Sequence, residues 1–154
     1  MDIGSGKDWP SCALSNFAPH PFEIDGIQCN SMEGFLQSLK FKNPDMQIEV
    51  CKLVGKQAKF KGKPKKWWLT QTLWWKGIEI DRHGEEYQKL LDRAYEALSN
   101  NVGFKKALLA TNNSSLTHSV GKNDSHHTIL TEQEFCGRLL KIRKSMVGKD
   151  NENV

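Results

Sequence analysis

Nowhere does this chain carry an apolar run approaching the roughly eighteen residues that a membrane-spanning helix needs. Its amino end, Met1 to Pro10 with Asp2 and Asp8, lacks the basic and apolar regions of an export signal. Both absences point to a protein that is neither inserted nor exported, and so to the cytoplasm. Cysteine is sparse: Cys12, Cys29, Cys51 and Cys136 stand far apart with no C-x-x-C pair, which argues against a disulfide framework or a metal site and for reduced, buried thiols. Acidic residues are missing altogether from Val50 to Ile78, a stretch that carries Lys52, Lys56, Lys59, Lys61, Lys63, Lys65, Lys66 and Lys76. A net charge of +4 thus conceals a local positive field suited to a phosphate-bearing partner. No internal repeat is evident.

What is present fits one compact domain. With 154 residues, 38% of them hydrophobic, the chain can bury a core and still shape a cleft. Residues 1–147 read as that domain and 148–154 as a frayed polar tail. Phe22 and Ile24 alternate with Glu23 and Asp25 ahead of an Asp25-Gly26 turn, and Ile27 and Cys29 follow, the pattern of a short β-hairpin near the N-terminus. Ser31 is placed to cap a helix ending near Asn43-Pro44, and Asp45 to cap a second helix over about residues 46–60. Trp67, Trp68, Trp74 and Trp75 flank a strand-like or irregular segment. Because neighbours on extended chain point to opposite sides, one ring of each pair is expected in the core. Tyr87, Leu90, Leu91, Ala94, Tyr95 and Leu98 predict an amphipathic helix of about four turns, and Phe104, Ala107 and Leu108 a shorter one that Asn112 to Ser115 breaks. A polar loop from Leu116 to Asp124 follows. Thr131-x-x-Glu134 forms a capping box for a last helix with Phe135, Leu139, Ile142 and Met146 on its core face. Helices outnumber strands.

The most informative stretch is Leu14 to Phe41. At 100° per residue, Glu33, Gln37 and Lys40 fall within roughly 60° of one another on the Ser31-capped helix, while Met32, Phe35, Leu36 and Leu39 fill a separate apolar arc. This segment resembles the NADAR (YbiA-like) domain family in its Ser15-Asn16-Phe17, Pro21-Phe22, Gly26 and Ser31-Met32-Glu33 with Gln37 and Lys40. Weaker matches continue through Gly55, Ala58, the tryptophans, Leu108 to Thr111, and Leu116-Thr117-His118-Ser119 with Gly121 and Asp124. Gly34 and the run His126 to Leu130 depart from the family's usual pattern. The resemblance implies a single mostly helical α+β domain that hydrolyses an N-glycosidic bond of a phosphorylated ribose, of ADP-ribose type or in a ribosylamino-pyrimidine, without a cofactor. A modified nucleic acid carrying ADP-ribose on guanine is among the implied partners.

Breaking such a bond develops an oxocarbenium-like ribose and negative charge on the departing base. Glu33 is the expected principal acid/base, with Asp124 as the downstream helper. Lys40 would neutralise phosphate, Gln37 would bond ribose or base, and His118 would bond phosphate or shuttle protons. Asn16 and Phe17 are expected near the sugar or phosphate, Gly121 in the loop that bends toward the ligand, and Trp75, ahead of Trp74, stacked on a base. His126 and His127 lack the companions of a metal site, so none is expected. A non-catalytic module binding ADP-ribose or nucleic acid through the lysines and tryptophans is the alternative.

Overall fold

Asp25 and Gly26 both take positive φ, 50° and 79°, the turn whose twist suits a two-residue hairpin loop. β1 (Phe22–Ile24) therefore pairs antiparallel with β2 (Ile27–Cys29), Phe22 opposite Cys29. This is seen in a computed structural model that describes residues 1–152. Lys76-Gly77 repeats the turn and closes a second hairpin in the tryptophan-rich segment, β3 (Thr72–Trp75) with β4 (Ile78–Asp81). Leu73 and Trp75 alternate inward from β3; Trp74 lies half-buried on the other side. A 3-10 turn, Trp67–Leu69, likewise buries Trp67 and exposes Trp68. One ring of each pair thus lies in the core, as the adjacency requires.

The helix bearing Glu33, α2 (Met32–Ser38), starts where expected, with Ser31 Oγ accepting from the Gly34 amide at 3.0 Å, but ends at Ser38, short of Asn43-Pro44. Asn43, not Asp45, caps α3 (Pro44–Cys51): its Oδ1 accepts from the amides of Asp45 and Met46, and Pro44 occupies the first turn, where its missing donor costs nothing. The expected helix over 46–60 is two helices, α3 and α4 (Gly55–Gly62), parted at Leu53-Val54. Gly55 takes φ 58°, outside helical geometry, and the carbonyls of Val50, Cys51 and Leu53 press against Gly34 of α2. A β-carbon at Gly34 would sit 2.4 Å from the Leu53 oxygen. Glycine at that position is a packing requirement of the α2 contact.

The remaining helices are α1 (Ser11–Leu14), α5 (Glu85–Leu98), α6 (Val102–Ala110) and α7 (Glu132–Glu152). The capping box of α7 is formed: Thr131 N–H donates to Glu134 Oε1 at 2.8 Å and Glu134 N–H to Thr131 Oγ1 at 3.0 Å. α7 runs on through Gly148 to Glu152 where a frayed tail was expected, and residues 153–154 lie outside the described residues. A single core joins Phe35, Leu36 and Leu39 to Tyr87, Leu91 and Ala94 of α5, Phe104 and Leu108 of α6, and Phe135 and Leu139 of α7. Cys29, Cys51 and Cys136 are buried and Cys12 is half-buried, all as free thiols. No described helix is long and apolar enough to cross a membrane.

Candidate active site

α2 forms one wall of a cleft of about 520 Å³. Asn16 and Phe17 enter from the loop before the first hairpin, Lys59 from α4, Trp67 from the 3-10 turn, and His118 to Leu130 supply a second, loop-built wall. Seven of the expected residues, Asn16, Phe17, Glu33, Gln37, Lys40, His118 and Gly121, meet there.

Glu33 is half-buried at the centre of the polar face. Its amide donates to the Asn16 carbonyl at 2.9 Å, tying the start of α2 to the Ser-Asn-Phe loop, and Gln37 Nε2 donates to its carboxylate at 2.9 Å. Burial raises the Glu33 pKa, opposed by the Gln37 hydrogen bond and by the charges of Lys40, Lys59 and His118. A carboxylate in that balance takes up a proton more readily than a solvated glutamate, which suits a base. Lys40 follows the helix in a tight turn, its N–H on the Gln37 carbonyl at 3.1 Å; burial lowers its pKa against the pull of Glu33. The Gln37 Oε1 atom is buried without a donor and lies against Gly62 of α4, where a β-carbon would approach it to 1.8 Å. α4 can come this close to α2 because residue 62 is glycine.

Two supporting bonds fix polar groups at the cleft. Asn16 Oδ1 accepts from the buried Tyr95 hydroxyl at 2.8 Å, which leaves the Asn16 amide hydrogens for a ligand. His118 Nδ1 lies 2.8 Å from the Ile3 carbonyl, an oxygen that only accepts, so Nδ1 carries a hydrogen and Nε2 is the nitrogen left for a ligand. The His118 amide donates to Glu132 at 2.7 Å and the ring packs edge-on against Phe135. Gly121 closes the turn behind it, its amide on the His118 carbonyl at 2.8 Å.

Two expected residues lie elsewhere. Trp75 is in the core, edge-on to Phe35 at 5.2 Å with its indole N–H on Asp25 Oδ2 at 2.8 Å, because the alternation of β3 turns it inward beside Leu73. The tryptophan that reaches the cleft is Trp67. Asp124 does not line the cleft: its carboxylate turns along its own loop to His127 Nδ1 at 2.6 Å and the His126 amide at 3.0 Å, and those two bonds hold its pKa below the usual carboxylate range. His127, considered from the sequence only as a metal ligand and set aside, lines the cleft in its place.

The loop wall is anchored from a distance. Arg82, almost fully buried, donates through Nε to the Thr128 carbonyl at 3.0 Å and grips Glu134 with both terminal nitrogens at 3.1 and 2.7 Å. The Tyr87 hydroxyl donates to the Ile129 carbonyl. Lys59, Trp67, Lys122 and His127 also line the cleft without having been singled out as site residues, although Lys59 lies in the acid-free lysine run and Trp67 in the tryptophan-rich segment.

The architecture is a known fold. It is shared with the NMR structure of the Escherichia coli protein YbiA, at a TM-score of 0.66 over 99% of this chain and 87% of that one, with 17% identity. The chain itself belongs to the bacteriophage protein GP30.3 family, which matches residues 8–144. A 17.1 kDa protein from the Gp30–rIII intergenic region of Enterobacteria phage T4 is 40% identical over 149 residues, 95% of this chain and 98% of the relative.

Proposed function

We propose that the cleft hydrolyses an N-glycosidic bond of a phosphorylated ribose, of ADP-ribose type, with ADP-ribose on a nucleic-acid guanine as one substrate. The observation that carries this reading is the Glu33 carboxylate, raised in pKa by burial yet ringed by Lys40, Lys59 and His118 and hydrogen-bonded by Gln37. In this mechanism Glu33 orients a water at C1′, stabilises the cationic ribose and accepts the water's proton. Lys40 and Lys59 hold phosphate, the Asn16 amide bonds a sugar hydroxyl, and Phe17 and Trp67 flank the apolar faces of base or sugar. The test is incubation with ADP-ribosylated DNA, ADP-ribosylated protein and a ribosylamino-pyrimidine phosphate, followed by mass spectrometry of products. Release of free base or ADP-ribose is expected. Glu33→Gln should remove turnover by about 100-fold or more while leaving ligand affinity nearly intact; a wild-type protein inert on all three substrates refutes the enzymatic reading.

One observation favours a second reading, a nucleic-acid binding module. Phe60, Trp68 and Leu69 are exposed, the last at 72%, among the exposed Lys56, Lys59, Lys61, Lys63, Lys65 and Lys66. Aromatic faces set among cations are the means by which proteins hold single strands. Tight, salt-sensitive binding of an unmodified oligonucleotide, with no product from any substrate above, would favour this reading.

A further inference from the structure

Among the groups that the mechanism above leaves unused, one pair is arranged for proton transfer. His127 lines the cleft, and its Nδ1 lies 2.6 Å from Asp124 Oδ2. A carboxylate oxygen only accepts, so the hydrogen of this bond belongs to Nδ1, and Nε2 is the nitrogen left to exchange a proton with a ligand. Asp124 is itself held: its other oxygen accepts from the His126 amide at 3.0 Å, and its pKa is lowered chiefly by the His127 bond. The loop behind it is braced from outside, since His126 stacks on His83 with ring centres 4.5 Å apart and its carbonyl accepts from Gln71 Nε2 at 2.9 Å. This explains why Asp124 stands outside the cleft lining: it holds the imidazole that lines it.

We propose that His127 is the general acid that protonates the departing base, with Asp124 as its positioning residue. The assignment rests on the glycosidase reading and completes it, because Glu33 attends to water and ribose and leaves the base nitrogen without a proton donor. The C1′–N bond breaks with its electron pair going to the base nitrogen, which takes the proton from His127 Nε2. The water oxygen bonds C1′ and its proton passes to the Glu33 carboxylate, so one water is consumed and no other reactant is needed. The His127 side chain is 66% exposed, so solvent recharges it directly after each turnover. The other ionisable groups around this transfer are Glu33, Lys40, Lys59, His118 and Lys122 in the cleft and His126 and His83 behind the loop.

The experiment uses the full chain and ADP-ribosylated DNA. His127→Ala should lose about 100-fold in kcat with KM changed by less than about twofold, and added imidazole should restore a measurable part of the loss. Asp124→Asn should lose about tenfold in kcat at unchanged KM. If His127→Ala fails to fold, His127→Gln, whose amide can keep the Asp124 bond, takes its place. Full kcat in the variant, a loss confined to KM, or a kcat loss that imidazole leaves untouched overturns the assignment while the glycosidase reading stands. A wild-type protein that cleaves no N-riboside overturns both.

Discussion

Along α2 the site residues are held mainly by partners close in sequence, whereas the wall from His118 to Leu130, beyond its own local bonds at Asp124 and Gly121, is tied to the rest of the protein by partners far away. Ser31 caps the helix three residues before Gly34, Gln37 bonds Glu33 one turn back, and Lys40 hangs on the Gln37 carbonyl. The loop wall instead depends on Ile3 for His118, on Asp2 for Ser119, on Arg82 for Thr128 and on Tyr87 for Ile129. A helix supplies its own hydrogen bonds; a loop of this length has to borrow them from whatever packs against it. The two walls should therefore fail differently when their supports are removed.

The largest effect is expected at Arg82. Arg82→Ala removes a bidentate pair and the donor to Thr128 at once and leaves Glu134 partly unpaired in a buried setting, a loss of about 3 kcal/mol. Denaturant unfolding measures it, and hydrogen exchange should show early opening of residues 118–131 with α2 still protected. Next comes Gly34→Ala, whose β-carbon would press into the Leu53 and Cys51 carbonyls at 2.4 and 2.9 Å, a cost of about 1–3 kcal/mol read from the same transition. Its opening should begin at the contact between α2 and α3, reversing the Arg82 pattern. If both variants open the same region first, the contrast between the walls is wrong.

Titration sharpens the contrast. Glu33 has a folded pKa raised above its usual value of 4.5, so its ionisation favours the unfolded chain: the penalty begins as pH rises through 4.5 and is complete above the raised value. Glu33→Gln should then melt higher than the wild type at neutral pH and lose that advantage in acid, while turnover disappears. Asp2 behaves oppositely and gives the smallest effect. Its carboxylate accepts from the Ser119 amide and hydroxyl at 2.8 and 2.6 Å, which lowers its pKa from 3.8 to about 2. The stabilisation is present above 3.8 and is lost as pH falls toward 2, so Asp2→Asn should flatten the acid limb of the melting profile over that window.

The same division explains what could be read from the chain. The Ser31 cap, the Asp25-Gly26 turn, the Thr131 capping box and the face shared by Glu33, Gln37 and Lys40 are written in spacings of one to seven residues, and each was legible. Asp45 lost the cap to Asn43 because Pro44 fits the first helical turn better than a position outside it. The division into α3 and α4 was hidden because its cause, the bare Cα of Gly34 beneath three carbonyls, lies in another helix. Arg82, buried and joined to a carboxylate 52 residues away, reads in sequence as an ordinary surface cation beside a turn. One ring of each pair, Trp67-Trp68 and Trp74-Trp75, was expected in the core, but which tryptophan lines the cleft depends on where the 3-10 turn and the second hairpin pack, which spacing does not give.

The bond between His118 Nδ1 and the Ile3 carbonyl has a practical corollary. Ile3 also donates its amide to the Thr117 carbonyl at 2.8 Å, so the first few residues work as a splint that decides which imidazole nitrogen greets a ligand. Purification handles fused ahead of Met1 would tug on that splint, and constants gathered with such a fusion would describe the handle as much as the protein. Probes and labels are better attached to the exposed Lys105 and Lys106 face of α6, clear of the splint.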